Sequence, residues 1–170
     1  TYGEELKWLT TDKTRMKWVA NTIKDISSSG NTLILVDRIS AGEILQKNLK
    51  DSVFISGSTK NLERKEHYDE VSTTQNKIII ATYGVASVGI NIPRIFNLVL
   101  IEPGKSFVRV IQSIGRGIRK AEDKENVQIW DITSSCKFAK RHLGARKKFY
   151  KEANYPYNIE KIDYENPYTR

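Results

Sequence analysis

The chain has 170 residues, enough for one layered core of ordinary domain size. Its 28 Lys and Arg outnumber 20 Asp and Glu for a formal net charge of +8, which favours an anionic partner such as nucleic acid, although solubility alone would also account for it. One cysteine and two histidines exclude a disulfide framework and a zinc cluster of those residues, and no apolar run reaches the roughly 20 residues that span a bilayer.

We therefore expect a soluble, cytoplasmic protein with no membrane segment and no metal site of its own. The polar opening "TYGEELKWLTT" starts without a methionine, and residues 1–12 are expected to link this unit to a preceding domain. From about Asp12 to Ser28, Met16, Val19, Ile23 and Ile26 recur at helical spacing and predict a helix with one packed face. Five short apolar runs follow: "TLILVD", "SVFIS", "KIIIAT", "NLVLIE" and "VQIWDI". They are rich in Val, Ile and Leu and do not alternate with polar residues, the pattern of strands covered on both faces of a parallel sheet. Helical patterns in "SAGEILQKNLK", "NLERKEHYDEVST" and "SFVRVIQSI" lie between most of them. Strand and helix in alternation imply a doubly wound α/β domain, assigned to residues 13–153, with right-handed crossovers.

After the last strand comes "CKFAKRHLGARKKFYKEA". At 100° per residue, Phe138, His142, Ala145 and Phe149 share one side with Leu143 and Tyr150 beside them, while Lys137, Lys140, Arg141, Lys147, Lys148 and Lys151 fall opposite. Arg146 breaks that pattern, and Gly144 weakens the helix. Two readings stay open for the basic side: a solvated face of a packed helix, or a stripe that binds phosphates. Residues 154–170 form a Tyr-rich tail with no usable period.

In open parallel sheets ligands sit beyond the carboxyl ends of the strands. The residues there are small and hydroxyl-rich. Ser56, Gly57, Ser58 and Thr59, and Thr82 and Gly84, would let amides and hydroxyls approach a phosphate, although Ser and Thr before a helix also serve as plain caps. In "SFVRVIQSIGRGIRK", Phe107, Val110, Ile111 and Ile114 form an apolar stripe, with Arg109, Gln112 and Arg116 opposite and Arg119 extending the polar line. Arginines so placed suit phosphate oxygens that gain charge during phosphoryl transfer; exposed cations near a helix C-terminus are the plainer alternative. No GxxxxGK[ST] loop is present, so the chain by itself has no evident place for the β and γ phosphates and magnesium.

Together these motifs resemble the second, C-terminal RecA-like domain of superfamily 2 helicases. "TLILVDRISAGEIL" resembles motif IV, "FISGST" the loop after it, "IIIATYGVASVGINIP" motif V and "QSIGRGIRK" motif VI, in the family's order over roughly Thr32 to Asp131. The resemblance implies a three-layer RecA-like domain with a mostly parallel sheet of five or more strands and helices on both faces. It implies an ATP-dependent DNA helicase or translocase that acts on branched or single-stranded DNA or on RNA-DNA hybrids. ATP with Mg2+ would be held mainly by the N-terminal RecA-like domain of the same protein, leaving this unit inactive alone.

By position, Gln112, Gly115, Arg116 and Arg119 match motif VI, with Arg119 as the arginine finger and Arg116 beside it as the catalytic pair. Gly89 and Asn91 match the end of motif V near ATP, and Thr82 its contact to the nucleic-acid backbone. Val88 stands where the family often carries Arg or Glu. Backbone contacts to nucleic acid are expected around Asp37, Arg38 and Ile39 and at Gly57 and Ser58, and Lys140 and Lys147 of the basic helix are added to that set. Arg64 resembles a family arginine with a structural role. The alternatives are a nonenzymatic nucleic-acid-binding module that works through the basic helix, and an unrelated doubly wound nucleotide enzyme.

Overall fold

The structure is a computed structural model and describes residues 1–71, 73–92, 94–104, 107–117 and 127–164, with the backbone alone over 115–117. Five strands coincide with the five apolar runs: β1 (Thr32–Val36), β2 (Val53–Ile55), β3 (Ile78–Thr82), β4 (Asn97–Ile101) and β5 (Gln128–Ile132). All pair in parallel, in the order β2-β3-β1-β4-β5. β1 and β4 are buried at every residue and β3 at all but Thr82, because helices cover both faces of the sheet.

Successive strand residues serve opposite layers, as the period of two requires. Ile34, Val36, Ile80, Val99 and Ile101 pack with Met16, Val19 and Ile23 of α2 (Lys13–Ser27) and Ala41 and Leu45 of α3 (Ile39–Asn48). Leu33, Leu35, Ile79, Ala81, Leu98 and Leu100 face the other way. They meet Val71 of α4 (Asn61–Val71), Val85 of α5 (Tyr83–Ser87), the stripe Phe107, Val110, Ile111 and Ile114 of α6 (Phe107–Gly117), and Tyr150 of α7 (Lys137–Glu152). The edge strand β5 departs from the two-sided expectation. Ile129 packs and Asp131 bonds on the α7 side, whereas Gln128 and Trp130 are exposed because no described helix extends over that end of the opposite face.

Residues 1–12, expected to link this unit to a preceding domain, are mostly helical. α1 (Tyr2–Thr11) begins in a capping box, with Thr1 Oγ1 accepting from the Glu4 amide at 3.2 Å and Glu4 reaching back to the chain start. Leu6 and Leu9 are buried, and Asp12 ends α1 while capping α2 through the Arg15 amide at 3.0 Å. Arg15 is 2 % exposed; it donates to the Leu9 carbonyl at 2.8 Å and to Glu102 Oε1 at 2.5 Å. α1 thus lies along the carboxyl edge of the sheet. Its Gly3 carbonyl meets Arg38 at 3.5 Å, and both Glu5 carboxylate oxygens accept from the amides of Phe138 and Ala139 at 3.0 and 2.9 Å, capping α7 from outside.

α7 is unbroken through Gly144, and its buried side is not the one its hydropathy suggests. Ala139, Arg146 and Tyr150 are buried, and Ala145 is exposed. Arg146 is the centre of the packed face because its charge is answered there. Its Nε and NH2 donate to the two Asp131 oxygens at 2.7 and 2.9 Å, its NH1 to the Pro103 carbonyl at 2.9 Å, and Tyr150 adds its hydroxyl to Asp131 at 2.8 Å. At the amino edge, fully buried Asn31 plays a matching part. Its amide donates to the carbonyls of Val71, Thr74 and Arg94 at 3.0, 2.9 and 3.1 Å, and its oxygen accepts from the Lys77 amide at 2.7 Å.

Candidate nucleotide and nucleic-acid interface

The loops after β1, β2 and β3 are neighbours at one carboxyl edge, so the strand order brings together Asp37 to Ile39, Ser56 to Thr59 and Thr82 to Gly84. The Ser56–Thr59 turn is tightly self-bonded. The Ser56 amide donates to Thr59 Oγ1 at 3.1 Å, the Thr59 amide to the Ser56 carbonyl at 3.1 Å, and the Ser56 and Ser58 hydroxyls lie 2.9 Å apart. Arg64, one turn into α4, donates to the carbonyls of Thr59, Ser56 and Gly57 at 2.9, 3.0 and 3.2 Å. The loop is held from behind, leaving Gly57 and Ser58 exposed with no atom within 4 Å of a Cβ built on Gly57. That geometry gives Arg64 a bracing role.

Thr82 caps α5, its Oγ1 accepting from the Val85 amide at 3.2 Å. The cap uses an oxygen lone pair and leaves the hydroxyl proton free to donate to a phosphate. After α5, Gly89 takes φ +103°, a region L side chains rarely adopt, and is exposed, as are Val88 and Asn91. Just before this turn, α5 is joined to α6 by Ser113, whose hydroxyl donates to the Ala86 carbonyl at 3.3 Å. On α6 the predicted stripe is buried throughout, and Arg109 and Gln112 face out. Gly115 and Arg116 stand in the last turn of α6. The side chain of Arg116 and the whole of Arg119 lie outside the described residues.

The loop after β1 differs from a simple open contact. Ile39, at the start of α3, is 51 % exposed and the Arg38 side chain partly so, but Asp37 is largely covered. Asp37 Oδ2 pairs with Arg38 Nε at 3.3 Å, while its Oδ1 is buried with no hydrogen-bond partner among the described residues. Burial pushes the Asp37 carboxyl above its ordinary range, with Arg38 pulling the other way. The Tyr2 hydroxyl is raised too, by burial and then by the Asp37 charge. A second raised carboxyl, Glu102, directly follows β4 at φ +44°; burial outweighs the pull of Arg15 and the hydrogen bond from Thr133 at 2.9 Å. Of the added lysines, Lys140 is exposed on α7 and Lys147 half-buried at its flank.

Sequence reasoning missed α1 as the element that covers part of the carboxyl edge, and the pairing of Arg146 with Asp131. The T-x-x-E capping signal at Thr1 to Glu4 marks the first in the sequence. The second carries no local signal, since its partners stand 15 residues apart on different elements.

A model of the helicase conserved C-terminal domain matches residues 14–121. The ATP-dependent DNA helicase uvsW of Enterobacteria phage T4 is 32% identical over 154 residues, covering 88% of this chain and 31% of that protein. The putative helicase 22 of a Sulfolobus islandicus filamentous virus is 32% identical over 104 residues, covering 59% of this chain and 18% of its own length. The chain therefore spans less than a third of either relative. Among solved structures, that of T4 UvsW superposes with a TM-score of 0.80 at 23% identity, over 96% of this chain and 37% of that one. The C-terminal domain of the DEAD-box protein Dbp5 superposes with a TM-score of 0.58 at 18% identity, over 78% of this chain and 80% of that one. The five-stranded parallel sheet is accordingly of the RecA-like helicase type. With more than half of its length matched by that model, the chain belongs to the family of helicase conserved C-terminal domains.

Proposed function

We propose that this chain is the C-terminal motor domain of an ATP-dependent DNA helicase or translocase that remodels branched DNA and R-loops, by branch migration and fork regression, in replication, recombination and repair. The observation that carries the reading is the join between α6 and the Thr82–Asn91 turn. A buried stripe and the Ser113 bond fix the two against each other, while Asn91 and Gln112 remain exposed.

In this reading ATP with Mg2+, when bound by a preceding RecA-like domain, supplies the phosphoanhydride to be cleaved. The chain's own residues complete that site from the other side. Gln112, Gly89 and Asn91 line it, and Arg116 and Arg119 offer permanently charged forks where negative charge develops on the phosphoryl group. The fit rests on chemistry: two arginines suit phosphate, and the set holds no carboxylate to anchor the metal. Thr82, Gly57 and Ser58, with the Arg38–Ile39 backbone, face the tracked strand, and Asp37 serves by holding Arg38 rather than by meeting a phosphate. Closing and opening of the cleft shift these grips relative to those of the other domain. The cytoplasm is the compartment this reading requires.

In the full-length enzyme, Arg119→Ala is expected to lower ATP turnover by about 10³-fold or more, as loss of an arginine finger does, with DNA affinity nearly unchanged. Turnover within a few-fold of the parent would remove the finger assignment.

A further inference from the structure

The net charge of this chain is concentrated in one element. α7 holds seven of the 28 basic residues and only one of the 20 acids, Glu152, so six of the eight net positive charges belong to it. Arg146 is spent internally on Asp131. Lys137, Lys140, Arg141, Lys148 and Lys151 are all exposed, and none pairs with a carboxylate among the described residues. At 100° per residue these five fall within an arc of about 100°, centred opposite the buried Ala139 and Arg146, and run for about 21 Å at 1.5 Å per residue. Gly144 lies within the row and leaves it open, with nothing within 4 Å of a Cβ there.

The row is also held rigidly. Glu5 caps the first turn of α7 through two amides, and the Arg146 cluster fastens its centre to β5 and to the Pro103 carbonyl. A fixed line of five cations, with Glu152 at its far end the one acid of the helix, would repel itself along most of its length if it served only as a solvated face, since like charges at i, i+4 weaken a helix.

We propose that this face of α7 binds the phosphates of a nucleic-acid double helix, as a contact separate from the strand-tracking edge. It deepens the motor reading above by naming a duplex as the second nucleic-acid partner. Three features decide for the duplex. Duplex phosphates recur at a fixed axial rise of about 3.4 Å per strand, so a rigid row of cations about 21 Å long meets a backbone whose geometry is already set, whereas a single strand would first have to be ordered to match it. A single strand is gripped by stacking as well as charge, yet the row has no exposed aromatic among the described residues, Phe138 being covered by Lys137 and Arg141 at 5.6 and 5.5 Å. The same lack of apolar surface speaks against a membrane, which takes up the apolar side of such a helix. α7 follows β5, four strand spacings from β2, so its row starts roughly 19 Å across the sheet from the Gly57 loop.

The test is fluorescence anisotropy with the full-length protein, without ATP, on a 20-base-pair duplex and on a 20-nucleotide single strand of the same sequence, across a salt series. The variant is Lys140→Gln/Lys148→Gln/Lys151→Gln, checked for parental helicity by circular dichroism; Lys148→Gln alone is the milder second variant. Neutralising three phosphate contacts should flatten the duplex salt dependence by about 2 to 3 in slope, and one contact by about 0.9. Single-strand affinity should hold. An unchanged duplex slope in the triple variant overturns the proposal, as does an equal loss on the single strand. Failure of the motor reading would show instead as normal ATP turnover in Arg119→Ala, which this binding measurement does not involve.

Discussion

Replacing Arg146 by methionine tests whether a residue that looks out of place on α7 is the anchor of its packing. The side chain is 2 % exposed and makes three hydrogen bonds of 2.7 to 2.9 Å, two to Asp131 and one to the Pro103 carbonyl. Methionine keeps much of the volume and removes all three. Among the described residues it leaves the Asp131 carboxylate, 15 % exposed, with only the Tyr150 hydroxyl, and the Pro103 carbonyl loses that donor. Breaking a buried ion pair from one side costs about 3–5 kcal/mol, a large share of the roughly 5–15 kcal/mol that holds a domain folded. For a chain of this size that corresponds to a melting temperature lower by about 6–20 °C. Urea denaturation of the parent, Arg146→Met, Asp131→Asn and the double variant gives the coupling directly. We expect the double variant to be more stable than Arg146→Met alone, because the uncompensated charge is then gone. A single-variant loss below about 1 kcal/mol, or strict additivity, would refute the assignment of Arg146 as a buried, paired anchor.

Three further outcomes follow from the geometry. Gly42→Ala places a Cβ 2.4 Å from the Phe54 ring, where α3 crosses β2, and should destabilise by roughly 1–3 kcal/mol in urea unfolding; no change would mean that the ring moves aside freely. Gly144→Ala meets open space in mid-helix and should raise stability by about 0.5–1 kcal/mol; a loss of stability would contradict a regular, open helix at that position. Asp37 is raised in the fold by burial, so its contribution to stability is present below the ordinary carboxylate range and lost as pH rises through the raised value. Asp37→Asn should therefore unfold at higher urea than the parent at neutral pH, with the difference closing below about pH 4; a difference that grows on acidification would contradict the unpartnered buried oxygen.

Much of the fold is legible in the residues because β1, β3 and β4 are buried on both faces, so their unbroken Val, Ile and Leu runs leave little ambiguity. The stripe on α6 is as clear, since its partners lie at i, i+3, i+4 and i+7. What periodicity could not supply is the sense of a charge whose partner is distant. Arg146 reads as an interruption until Asp131 is placed beside it, and Ala145 reads as core until the helix is turned to bury Arg146. α5 is five residues long, too short for a helical period to register. The same limits shape the candidate site. Motif residues mark the loops, but only the strand order puts the β1, β2 and β3 loops side by side. Nothing local indicates that Tyr2 of α1 lies close enough to feel the Asp37 charge, or that one oxygen of that carboxylate is buried.

The claim on which the account depends is that this domain completes a catalytic site and does not hold one. Steady-state ATP turnover of the 170-residue chain by itself, with millimolar ATP and Mg2+ and saturating DNA, tests it most directly. No hydrolysis above the uncatalysed background is predicted. A turnover of about 1 s⁻¹, within the ordinary range for an enzyme, would mean that the chain carries its own phosphate site and that its arginines do not act across a seam.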